Sequence, residues 1–240
     1  MHAWVLQGNA PFLDLVARRL ARGGIAVARA EAPWPDWNGL AHGTLRVDLQ
    51  AAGLERALRL AQRCADEGLR FAEIATRWHP AGEEWGFLLQ TGAPEAVRAA
   101  VAAVADPLAP LPGAWLPCGP PGAAGFTARV FDALGHSATL WLEATARPSA
   151  AAAPPDWQAG LARQAELARM LLLLAEQYLA HYPATAEDDA LPAGLPPPGS
   201  HAAHYARNLA RLIELTLGQN ASLRDLLAAL SSSHELTAPD

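Results

Sequence analysis

Residues 44–104 read TLRVDLQAAGLERALRLAQRCADEGLRFAEIATRWHPAGEEWGFLLQTGAPEAVRAAVAAV, and their pattern decides the fold. Thr44 to Leu49 alternates apolar and polar side chains, as a strand does. Residues 52–67 carry Leu54, Ala57, Leu58, Leu60 and Ala61 at helical spacing. Phe71 to Ala75 reads as a strand again, Gly86 to Gln90 as another, Pro94 to Ala105 as a helix and Ala114 to Pro117 as a short strand. Strands alternating with helices imply a mostly parallel sheet with helices on its faces.

Upstream, His2 to Leu6 reads as a strand, Pro11 to Arg22 as a helix that opens on proline and closes on Gly23-Gly24, and Ile25 to Arg29 as a second strand. These three elements make a βαβ unit. A loop rich in Trp and Pro, APWPDWNGLAHG, joins it to the central stretch. Downstream, helical patterns cover about 123–146, 157–182, 201–218 and 222–231, and the linkers RPSAAAAPPD and PATAEDDALPAGLPPPGS break them apart. The expected organisation is an α/β domain over residues 1–118 and an all-helical domain over 119–240. Within the helix from residue 157, MLLLLAEQYLA is apolar almost all round. It calls for enclosure, either as an internal core helix or in a homodimer interface.

Of the 240 residues, 51% are hydrophobic and 18% charged, a globular composition with a sizeable core. The net charge of -6 and the scatter of the basic residues argue against a nucleic-acid partner. All 18 of those basic residues are arginine, so the chain has no lysine to serve as a base or a Schiff-base nucleophile. Cys64 and Cys118 stand in neither CxxC nor Cys/His metal spacing and suit a reducing compartment. The opening MHAWVLQGNAP has no basic n-region, and the longest apolar runs, Ala99 to Ala105 and Met170 to Ala175, are too short to span a bilayer. A cytoplasmic protein with no membrane partner is expected.

The central stretch, continued by AWLPCGPPGAAGFTARVFDAL at 114–134, resembles the end of the coenzyme domain and the long inter-domain helix of the 6-phosphogluconate dehydrogenase and β-hydroxyacid dehydrogenase family. The most distinctive piece is LPCGPPGA entering a helix. The opening VLQGNAPFLDLVARRLARGGIAVARAE sits where that family has its first βαβ. The resemblance covers residues 1 to about 31 and about 44 to 145. It implies a reduced Rossmann-like parallel sheet, then a helical domain that pairs as a homodimer, with NADP as the usual coenzyme.

The residues that would perform the family's chemistry are replaced. A dinucleotide site needs glycines in the first strand-to-helix turn, so that backbone can approach the pyrophosphate. The three GxGxxG positions hold Gln7, Asn9 and Phe12, and Gly8 falls out of phase. Glu31 lies near the end of the second strand, where an acidic residue commonly holds the ribose of NAD and would repel the 2′-phosphate of NADP. Gly8, Asn9 and Glu31 are therefore the cofactor-binding candidates. The resemblance places Ala128 at the family's lysine base, Phe131 and Asp132 at its histidine-asparagine pair, and Gly135 at its glutamate acid. Its substrate-holding Ser-Gly-Gly turn becomes Arg77, Trp78 and His79. Arg129 is too basic to accept a proton in place of the lysine.

What remains is a candidate anion or substrate pocket of Arg77, His79, Gly119, Arg129, Asp132 and His136, in which guanidinium groups could grip carboxylate or phosphate. The alternative is an ordinary Arg129 to Asp132 contact on an exposed helix face. His201 and His204, behind Glu187, Asp188 and Asp189, have a metal-compatible spacing but no third defined ligand, and an ordinary helix entry capped by Ser200 explains them. Of the eight tryptophans, Trp34, Trp37, Trp78 and Trp85 fall in loops, as caps for a shortened sheet or as a contact surface. The expectation is a catalytically inactive member of the family with a structural, regulatory or partner-binding role and no bound cofactor or metal. The alternatives are an atypical NAD(P)-dependent oxidoreductase of a hydroxy acid, using His136 or Asp132 for the proton, and a small-anion binding module.

Overall fold

The computed structural model describes residues 3–35, 37–51, 53–145, 157–183 and 205–218. In chain order the first part contains β1 (Trp4–Gln7), α1 (Phe12–Arg22), β2 (Val27–Ala30), β3 (Gly39–His42), β4 (Leu45–Asp48) and α2 (Leu54–Asp66). It continues with β5 (Arg70–Ala75), α3 (Ala81–Trp85), β6 (Leu89–Gly92), a 3-10 turn at Glu95–Val97 leading into α4 (Arg98–Leu108), β7 (Trp115–Gly119) and the start of α5 (Ala123–Thr145). Then come α6 (Trp157–His181) and α7 (Tyr205–Ile213), which runs into a π-helical turn at Glu214–Gly218. The expected helix at 222–231 and the His201/His204 pair lie outside the described residues.

The α/β reading holds, and the strands form one sheet in the order β2-β1-β3-β4-β5-β6-β7. The sheet is mixed, where a mostly parallel one was expected. β1 pairs parallel with β2, β4 with β5 and β6 with β7, but β1–β3, β3–β4 and β5–β6 are antiparallel. The difference comes from β3, four residues inside the segment read as a loop. His42 pairs with Leu45 across the tight turn Gly43-Thr44, and Gly43 takes the positive φ of 55° that such a turn needs. The hairpin inserts β3 between β1 and β4. α3 was also missed, because its five residues lie between His79-Pro80 and Gly86 and are too few to show a period.

The sheet's two faces carry separate cores. On one, Leu6, Leu40, Val47 and Ile74 pack with Leu13, Val16 and Leu20 of α1 and with Val101, Val104 and Leu108 of α4. On the other, α2 lays Ala57, Leu60 and Cys64 against Phe71, Trp34 and Trp37. Alternation along each strand produces this division: Val47 faces the first core and Asp48 the second. Arg19 of α1 ties that helix down, donating to the carbonyls of Pro107, Glu84 and Ala109.

The described residues up to Ala128, with Tyr205 and Ala206, form one compact unit, and those from Arg129 to Pro183, with Arg207 to Gly218, form another. In the second unit α6 buries Ala165, Leu171, Ala175 and Tyr178, while Leu161, Met170 and Leu173 are exposed. Ile213 and Ala210 of α7 are buried, and Leu212 is exposed. No helix among the described residues is long and apolar enough to cross a membrane.

Candidate functional site

The turn between β1 and α1 is where a dinucleotide's pyrophosphate would have to approach. In this chain it is occupied from within. The side-chain oxygen of Asn38 accepts the backbone N–H of Asn9 at 3.0 Å and of Ala10 at 2.8 Å. Gly8 makes this possible with a φ of 118°, since a Cβ there would collide with the Asn38 side chain and the Trp37 carbonyl. Asn38 is 5% exposed, held where the segment Trp37-Asn38 enters antiparallel β3. A doubly wound sheet opens its ligand crevice beside the carboxyl end of its first strand, where the strand order reverses. Here β3 runs alongside β1, with Gln7 paired to Gly39, and its incoming chain crosses that place.

Aromatic side chains fill the adjoining space. Phe12, at the first position of α1, stacks on Trp78 with ring centroids 5.4 Å apart and planes 5° from parallel. Trp78 also meets Phe87 edge-on, and its indole N–H donates to the Leu49 carbonyl at 2.8 Å. Gln7 keeps a side-chain oxygen with no hydrogen-bond partner among the described residues. Glu31 is exposed just past β2.

The other predicted residues fall into two sets. In the first unit, Arg77 and His79 are exposed after β5, His79 Nδ1 accepts the Ala81 N–H at 3.2 Å, and Gly119 is buried at the end of β7. In the second, Arg129, Asp132, Gly135 and His136 are exposed on α5, where Arg129, Asp132 and His136 recur at the three- and four-residue steps of one helical face. Phe131 is 38% exposed. Among the described residues no three His, Cys, Asp or Glu side chains are grouped as for a metal ion.

Sequence reasoning missed a second polar centre, sealed on the sheet face shared by α2 and the start of α5. Asp48 of β4 and Glu73 of β5 are cross-strand neighbours, and both are fully buried. Arg56 of α2 grips Asp48 with both terminal nitrogens, at 2.7 and 3.2 Å, and the Ala51 N–H adds a third bond at 3.0 Å. Glu73 has no cation among the described residues; its Oε1 accepts the N–H groups of Ala124 at 2.8 Å and Gly125 at 3.3 Å, in the first turn of α5. Its Oε2 has no hydrogen-bond partner among the described residues. Gly92 on β6 makes room, because a Cβ there would stand 2.6 Å from Glu73 Oε1. Burial, reinforced by the charge of Asp48, pushes the Glu73 carboxyl up to about 7 against the pull of the α5 amides. Burial likewise lifts Asp48, and Arg56 opposes it.

The signal for this centre is present in FAEIA, a lone carboxylate inside an otherwise apolar strand, and in Arg56, which falls in the first turn of the helix that follows Asp48's loop. Both cysteines are buried, and burial pushes Cys64 up to about 11 and Cys118 up to about 12, so they are inert thiols at neutral pH. No protein-family model matches the sequence, and no curated protein is similar to it.

Proposed function

We propose that this chain is a catalytically inactive protein of the 6-phosphogluconate dehydrogenase type, serving a structural, regulatory or partner-binding role. The observation that carries this reading is Asn38, whose amide oxygen takes the two backbone N–H groups that a pyrophosphate would require. The Phe12–Trp78 stack and the antiparallel β3 support it, because they fill the place where a nicotinamide coenzyme would lie. The lack of any lysine, with Ala128 at the position of the family's base, supports it from the side of the chemistry. Pairing with a second copy through the helical part is the expected assembly. Leu161, Met170 and Leu173 on α6 and Leu212 on α7 favour it, since large exposed apolar side chains on one unit mark a contact surface.

The direct test mixes the purified protein with NADP or NAD and a panel of 3-hydroxy acids, 6-phosphogluconate included, and follows reduced coenzyme by absorbance. Light scattering on the same sample gives the mass. The reading expects no turnover and a mass twice the 25.3 kDa of the chain. Turnover of any hydroxy acid would replace it with the oxidoreductase reading.

A further inference from the structure

The sealed centre under α5 has an unequal charge count. Two carboxylates, Asp48 and Glu73, lie side by side on adjacent strands. The cation that reaches the centre, Arg56, commits two nitrogens to Asp48. Among the described residues, the groups facing Glu73 are Asp48 from β4, with Arg56 of α2 behind it, and the Cys118 thiol from β7, which stays neutral. β6 contributes Gly92 and α5 its first-turn amides, none of them charged. With both carboxylates ionised, the centre would hold a net negative charge away from water, where an uncompensated charge is costly. With one proton it is neutral.

We propose that Asp48, Glu73 and Arg56 form a proton-binding device beneath the first turn of α5, in which the folded chain holds one proton on Glu73. Glu73 Oε2 is the atom that takes the proton, since Oε1 is engaged by Ala124 and Gly125. Ionisation sets a second negative charge beside Asp48 in a site closed to water, and the α5 amides offset only part of that cost, so the folded unit loses stability.

The direction with pH follows from linkage. The folded chain binds the proton more tightly than the unfolded chain does, so the contribution to stability is complete below the ordinary carboxylate range and is lost as pH rises through about 7. Burial raises the Glu73 carboxyl from its ordinary 4.5 to about 7, which corresponds to a roughly hundredfold rise in the unfolding constant of the first unit between pH 5 and 9.

The experiment is urea unfolding of the full chain from pH 5 to 9 for the wild type and for Glu73→Gln, each referred to its own value at pH 5. The wild-type unfolding constant is expected to climb relative to the variant, with its midpoint at about pH 6 and a plateau above about 7. Asp48→Asn, which removes the neighbouring charge, is expected to move that midpoint to lower pH. Parallel profiles for wild type and Glu73→Gln would overturn the proposal. Should Glu73→Gln fail to fold, infrared spectra of the wild type labelled with carboxyl-13C glutamate decide. A protonated glutamate band at pH 6 that fades through pH 7 supports the device, and its absence at pH 6 overturns it.

Discussion

The side-chain oxygen of Asn38 lies 2.8 Å from the backbone nitrogen of Ala10 and 3.0 Å from that of Asn9. One amide thus does for the opening of α1 what a bound anion does in a nucleotide-binding turn. Removing it by Asn38→Ala leaves two N–H groups in a partly buried turn without an acceptor, at a cost of about 2 kcal/mol. Asn38→Asp keeps the acceptor and places a negative charge at a helix N-terminus, which is favourable. Urea unfolding should therefore rank Asn38→Asp well above Asn38→Ala; equal losses would show that the two bonds contribute little.

Gly8→Ala should destabilise more than a typical surface change. Its φ of 118° disfavours any side chain, and the added Cβ meets Asn38 and the Trp37 carbonyl. A loss of about 2–3 kcal/mol is expected from the strain and the displaced cap. A thermal melt within a degree of the wild type would contradict the closed turn.

Much of the fold is legible in the sequence, and the reasons for the exceptions are local. The βαβ opening, α2, β5, α4 and β7 announce themselves through period and punctuation, as Leu13, Val16 and Leu20 do on α1. β3 does not, because Gly39-Leu40-Ala41-His42 is short, holds one large apolar residue and follows Trp37-Asn38 in a segment whose prolines and tryptophans read as loop. Missing β3 hides both the mixed sheet and Asn38, whose role depends on contact with residues 28 and 29 positions away. Glu73 was open to notice, since a carboxylate inside FAEIA has to find partners; the α5 amides that supply them are about 50 residues on.

Arg56→Ala strips the cation from a buried carboxylate. Asp48 is 0% and Arg56 15% exposed, so a loss of about 3–5 kcal/mol is expected. Restoring charge balance with Asp48→Asn in the same chain should recover a good part of it. A double-mutant cycle in chemical denaturant gives the coupling, and simple additivity would refute the pairing.

Both thiols should be silent in the folded protein. With Cys64 pushed up to about 11 and Cys118 to about 12 by burial, a thiol reagent at pH 8 should label neither until denaturant is added. Rapid labelling of one equivalent in native buffer would contradict the burial of that cysteine.

Leu173→Glu sets a charge on an α6 position that is 54% exposed in the single chain. If the helical part pairs with a second copy there, sedimentation should show the mass halved with little change in circular dichroism. An unchanged mass would place the contact elsewhere.

The central claim, that the first turn is filled by the chain itself, is tested most directly by calorimetric titration of the wild-type protein with NADPH and with NADH. The account predicts no binding heat from either coenzyme at millimolar concentration. Micromolar binding of either would contradict it, because Asn38 would then have to yield the Asn9 and Ala10 amides to a pyrophosphate.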